Sequence, residues 1–161
     1  MRTSQRLLVL TVLVAAVMAP TGSAVGAAGY DFSNPSSTGC VTRGPLTYPA
    51  TTRAYGVWSI SLRRSTGCNT VWAHITRTDT KRCLTSGQYC AKIRVTRVLN
   101  NGTKTATALR AMPHGTKAVL SFQLNGTNGS VFTANAATVG GRAIGASGHL
   151  SVDANGNWTS S

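Results

Sequence analysis

From Trp58 to Thr76 the chain carries one signal on both sides of a corner. Trp58, Ile60 and Leu62 alternate with Ser59, Ser61 and Arg63; after Ser65-Thr66-Gly67, Val71, Ala73 and Ile75 alternate with Trp72, His74 and Thr76. A period of two is that of a half-buried strand, and Ser-Thr-Gly is turn chemistry. The stretch therefore reads strand, corner, strand, with Cys68 at the corner. Ile93 and Val95 alternate with Lys92, Arg94 and Thr96 in the same way, and Asn101-Gly102 follows before TKTATALRA. Asn-Gly between two such runs predicts a two-residue hairpin turn. In that register Leu99 faces Lys104 and Arg97 faces Ala106, so Lys92 and Arg94 fall on one side and Arg97, Lys104 and Arg110 on the other. KAVLSFQL puts Ala118, Leu120, Phe122 and Leu124 on one face, a core strand. SVFTANAATV and GRAIGASG read as weaker strands, and HLSVDANGNWT as a final hairpin around Asn155-Gly156. Beyond residue 27 no window of a dozen residues carries the 3.6-residue period of a helix. The fold class that follows is all-β, a small antiparallel sandwich or barrel.

The start of the chain differs in kind. MRTSQR carries Arg2 and Arg6 without an acid, Leu7 to Ala19 is uncharged and apolar, and Pro20 to Ala24 supply a helix-breaking region and small residues. That order is the layout of a secretory signal peptide, and the apolar run is shorter than the ~20 residues of a comfortable membrane span. Residues 1–27 are expected as a cleaved signal peptide, 28–39 as a flexible lead-in, and 40–161 as one β domain. The mature chain, roughly 130 residues, has the size of one domain with a modest core. Its expected place is outside the cell, secreted or associated with the cell wall.

Four cysteines in an exported chain imply two disulfides, for which three pairings are possible. Cys83 and Cys90 flank LTSGQY, whose Ser86-Gly87 suits a turn. That favours Cys83–Cys90 as a local staple and Cys40–Cys68 as a longer bridge. Trp72 is expected to pack on that longer bridge; a stacking platform for a sugar or base is its functional alternative. Zinc would call for C-x-x-C spacing, which does not occur, so neither metal nor cofactor is expected.

Charge is heavily one-sided. The chain has 16 Lys and Arg against Asp31, Asp79 and Asp153, with no glutamate. Without Arg2 and Arg6, fourteen cations face three carboxylates, so most of the positive charge must meet water or an anionic partner. Arg63, Arg64, Lys92 and Arg94 are the candidate contacts. Outside a cell the abundant anions are envelope polymers and acidic glycans, and any binding of nucleic acid would be non-specific. A solubilising surface without a partner is the alternative.

The run Leu62-Arg63-Arg64-Ser65-x-x-Cys68-x-x-x-Trp72-Ala73, with Gly39-Cys40 and Gly56 ahead of it, resembles the signature of a family of small secreted actinobacterial proteins. That family is a domain of unknown function with the pattern L-R-x-S-x-x-C-x-x-x-W-A. The resemblance extends from about Gly39 to Phe132. It implies an exported small β domain with a Cys40–Cys68 bridge, and no activity. Arg64 stands where an aromatic is frequent and His74 where a basic residue is frequent, and Cys83 and Cys90 are additional to the pattern.

An acid–base hydrolase needs paired carboxylates or a carboxylate with a histidine. The aspartates are far apart, and His74, His114 and His149 share no ligand-like spacing. No G-x-S-x-G, H-E-x-x-H, P-loop or dinucleotide fingerprint occurs. Three readings remain. The first is a monomeric, non-enzymatic module that binds anionic envelope or extracellular polymers electrostatically. The second is a small nuclease-like hydrolase built on His74 and neighbouring arginines. The third is a secreted inhibitor or interaction protein presenting the Cys83–Cys90 loop, with Tyr89 as its anchor-like residue.

Overall fold

The structure, a computed structural model, describes residues 29–43, 46–47, 52–139, 143–144 and 149–160. The expected signal peptide lies outside them. Numbered along the chain, the strands are β1 (Leu46–Thr47), β2 (Arg53–Tyr55), β3 (Trp58–Ser65), β4 (Thr70–Arg77), β5 (Ala91–Val98), β6 (Lys104–Ala106), β7 (Arg110–Ala111), β8 (Ala118–Leu120), β9 (Leu124–Asn125), β10 (Val131–Thr138), β11 (Ala143–Ile144), β12 (His149–Val152) and β13 (Trp158–Ser160). Among the described residues no helix is long and apolar enough to cross a membrane.

The strands form two antiparallel sheets. In the first, β3 and β4 are central, with β1 and β2 along β3 and β8 and β9 along β4; in the second, β5 and β10 are central, with β6 and β7 along β5, β11 and β12 along β10, and β13 beyond β12. Alternation explains how they pack. Ile60, Leu62, Val71, Ala73 and Ile75 from the first sheet meet Ile93, Val95, Phe132 and Ala134 from the second, all fully buried in one core. The all-β expectation therefore holds in its sandwich form, with bridges Cys40–Cys68 and Cys83–Cys90.

The other face of β4 carries Trp72, and here the sequence expectation divides. Trp72 is fully buried in a second small cluster with Cys40 and Cys68, flanked by Tyr30, Val41 and Leu120. It covers the bridge and offers no ring face to a ligand, so the stacking-platform alternative is removed. What covers it is residues 29–43, a segment that includes most of the flexible lead-in expected at 28–39. They instead form a strap of turns across the first sheet. The Gln123 backbone bonds to this strap twice, accepting from Phe32 N–H at 2.8 Å and donating its N–H to Ser33 O at 2.9 Å. Asp31 accepts from Asn125 N–H at 2.6 Å and pairs with Arg97 at 3.4 Å, tying the strap to both sheets. The reason is polar satisfaction: Gln123 is fully buried, and its amide finds partners in Ser33, Thr38 and Cys40 of the strap and in Thr70 of β4.

Two registers depart from simple alternation by one residue. Ala118, Leu120, Phe122 and Leu124 do not share a face. Val119 pairs with Ile75 and enters the core, Leu120 pairs with His74 on the opposite side, and the phase recovers only at Leu124, opposite Val71. Between them Ser121 forms a bulge: its N–H donates to Ala73 O, and its hydroxyl replaces a carbonyl as acceptor for Ala73 N–H at 2.9 Å. One extra residue opposite β4 inverts the side-chain phase. The second departure is the β5–β6 hairpin, where Val98 pairs with Lys104 and Arg97 with Thr105. The loop holds three residues, not two. Gly102 N–H closes a turn onto Leu99 O at 2.8 Å, and Gly102 adopts φ 80°. That is a tight turn followed by a left-handed glycine, the usual three-residue hairpin. The last hairpin, β12–β13, turns at Asp153–Asn157 as expected, with Val152 opposite Trp158.

Gly126 shows how closely the sheets approach. A Cβ there would lie 2.5 Å from Asn69 Oδ1 and 2.6 Å from Trp158 Cζ2. Asn69 is fixed by its bond to Gly126 O at 2.8 Å, and Trp158 is stacked on Phe132 with ring centroids 5.9 Å apart. Neither can yield freely, so Gly126→Ala is expected to destabilise by about 1–3 kcal/mol through overpacking. A thermal melt indistinguishable from that of the parent protein would contradict this close packing.

Candidate anion-binding face

The shifted hairpin register decides which cations stand together. Ala91, Ile93 and Val95 enter the core, so Lys92 and Arg94 project from the outer side of the second sheet, and both are exposed. Lys104, expected on the opposite side, pairs with Val98 and so joins them. From Lys92 to Val98 the strand spans about 20 Å at ~3.4 Å per residue. Thr96, Thr133 and Asn135 fill the surface between, since Arg94 lies opposite Asn135 and Thr96 opposite Thr133. The Asn135 amide donates to both threonine hydroxyls at 3.3 Å, and Ser151 and Thr159 hydroxyls bond at 2.9 Å further across. This face is flat, rich in hydroxyl and amide groups, and cationic.

None of the three aspartates neutralises it. Asp31 serves Arg97 and the Asn125 backbone. Asp79 accepts from Arg77, at 2.7 Å to Nε, and that hydrogen bond lowers its carboxyl below the ordinary value. Asp153 is lowered first by the Asn157 amide and then by turn backbone N–H groups.

The other sequence candidates separate. Arg63 pairs across from Trp72 and Arg64 across from Val71, so the two adjacent arginines point to opposite sides of β3. Both are half-buried, and Arg64 lies 4.9 Å over the Trp158 ring, joining the two sheets. They are not a pair of exposed charges beside the corner, because the strand runs on through them to Ser65. Tyr89 is also engaged: Lys81 lies 4.6 Å and Arg77 5.1 Å from its ring. Beneath its loop is an apolar recess of about 590 Å³, lined by Leu84, Met112 and Val139, with Lys92 and His114 also on its walls.

His74 lines a separate, smaller recess of about 160 Å³ with Arg110 and Ser36, apart from His114. Burial, and then the Arg63 guanidinium, push its imidazole down to about 4. Folded His74 is thus neutral at pH values where the unfolded chain, near 6.5, binds a proton. Its contribution is fully present above pH 6.5 and is lost as pH falls toward 4, by up to about 3 kcal/mol. Denaturant midpoints for the parent and His74→Gln should converge across that window. Parallel pH profiles would refute it. Among the described residues no three His, Cys or Asp side chains gather as a metal site.

No family model, curated protein or solved structure matches the chain. The Leu62–Ala73 signature therefore rests on its own residues.

Proposed function

We propose that the protein is an exported, monomeric, non-enzymatic module that holds anionic envelope or extracellular polymers against the outer face of its second sheet. The observation that carries this reading is the shared side of Lys92, Arg94 and Lys104, with no carboxylate among them. Three cations along one strand pair match a linear polyanion better than a compact ligand, and the hydroxyl and amide groups between them add sequence-independent hydrogen bonds. Two disulfides fit an oxidising compartment. The small exported β-domain family that the Leu62–Ala73 run resembles fits the same setting. Arg63 and Arg64 have no part in this face.

The oxidised protein should sediment with isolated cell-wall sacculi at low salt. It should be released as salt rises and should ignore sacculi stripped of their anionic polymers. Retention on stripped sacculi at high salt would replace the electrostatic reading with a shaped glycan or protein site.

A further inference from the structure

We propose that the recess between His74 and Arg110 is a binding site for a single phosphate or sulfate group. This site lies apart from the polymer-binding face and does not depend on it. Three donors from three distant segments line it: Arg110 from β7, His74 from β4 and Ser36 from the strap. Among the described residues none of the three side chains has a hydrogen-bond acceptor. Arg110 Nη1 is enclosed without a hydrogen-bond partner, while its guanidinium rests 5.5 Å over the Phe122 ring. Among the described residues the His74 imidazole makes no hydrogen bond, and Ser36 bonds through its backbone. A buried guanidinium N–H without an acceptor is costly, and native structures rarely leave one so. An anion would supply the acceptor.

Size and charge select the class. The recess, about 160 Å³, equals roughly five water volumes at ~30 Å³ each, enough for a tetrahedral oxyanion. Pro113, Ala118, Val119 and Leu120 complete the wall, and no aspartate lines it. A stacked guanidinium fork, a ring N–H and a hydroxyl can meet three oxygens of a tetrahedral group at once. The charged groups about His74 are Arg63 from β3, which acts on its ring, and Arg110 from β7, which shares the recess; the strap contributes Ser36 and β8 contributes Ala118, Val119 and Leu120, none of them charged. Burial first, and then the positive charge of Arg63, hold the ring neutral when the recess is empty. A bound anion reverses that field, so its affinity should rise with acidity as His74 takes up a proton.

The test follows the His74 ring resonances by NMR while inorganic phosphate is added at constant ionic strength with chloride as control. The expected result is a saturable shift with phosphate, none with chloride, and an upward move of the His74 titration midpoint. Arg110→Gln should weaken binding by roughly tenfold or more. Ser36→Ala, an exposed change that leaves the Arg110–Phe122 contact intact, should weaken it several-fold. A parallel arm uses dimethyl phosphate. Binding of phosphate alone marks a free or terminal phosphate, and binding of both marks a phosphodiester. A non-saturating shift, or one unchanged in both variants while their spectra remain folded, overturns the proposal. Loss of the Lys92, Arg94 and Lys104 charges should leave this titration as it was.

Discussion

Replacing Cys40 and Cys68 together by alanine is expected to lower the melting temperature by about 10–15 °C. The bridge closes 28 residues of chain, and a loop of that length constrains the unfolded state by about 3–4 kcal/mol. For a domain near this size each kcal/mol moves the midpoint by roughly 4 °C. The folded side should change less, because the strap keeps its bonds to Gln123, Asn125 and Arg97. Trp72 reports the difference. With the bridge gone its outer cover loosens, and its emission should shift to the red before global unfolding. Replacing Cys83 and Cys90 removes a loop closed over only 7 residues, for which the same reasoning gives about 2–3 kcal/mol. Calorimetry on the two double variants should rank them in that order. Equal stability of the parent and the Cys40/Cys68 variant would mean that the strap's hydrogen bonds, and not the bridge, determine its attachment.

The second large effect concerns binding. Lys92→Ser, Arg94→Ser and Lys104→Ser combined should weaken binding to inorganic polyphosphate by roughly 100-fold at low salt, at about 1 kcal/mol per cation near an anionic surface. The slope of log K against log salt should fall by about 2, since each lost contact on a flexible polyanion removes ~0.7. A control triple, Arg53→Ser, Lys81→Ser and Arg82→Ser, removes the same formal charge from exposed positions elsewhere. The control should lose only a small part of this affinity. If both triples behave alike, net charge alone attracts the polymer and the outer face of the second sheet has no special role.

The central strands could be read in the sequence because their partners' chemistry is written into the alternation. Ile60, Leu62, Ala73 and Ile75 need only an apolar neighbour, and any apolar strand supplies one. What local pattern cannot supply is a count of residues between segments. Asn-Gly is compatible with a two-residue turn, yet its glycine equally well ends a three-residue loop, and the choice carried Lys104 to the other side. The Ser121 bulge depends on a hydroxyl standing in for a carbonyl as acceptor for the Ala73 N–H of β4, forty-eight residues away. Gln123 is buried because the strap brings Ser33 and Thr38 to it, a partnership without local trace. Arg63 and Arg64 needed only the alternation rule carried two residues further. The His74 recess was half legible. Its histidine stood out, but Arg110 and Ser36 come from segments that only the fold brings near.

Lys104 keeps company with Lys92 and Arg94 because the loop between β5 and β6 holds an odd number of residues. Parity of loop length is therefore a charge selector. Deleting one residue of that loop, or inserting one, would carry every side chain of β6 to the opposite surface and dissolve the cationic row with all of its cations still present in the composition. A lineage of such chains could gain or lose an electrostatic face by a single indel, at constant net charge and without one substitution in a strand.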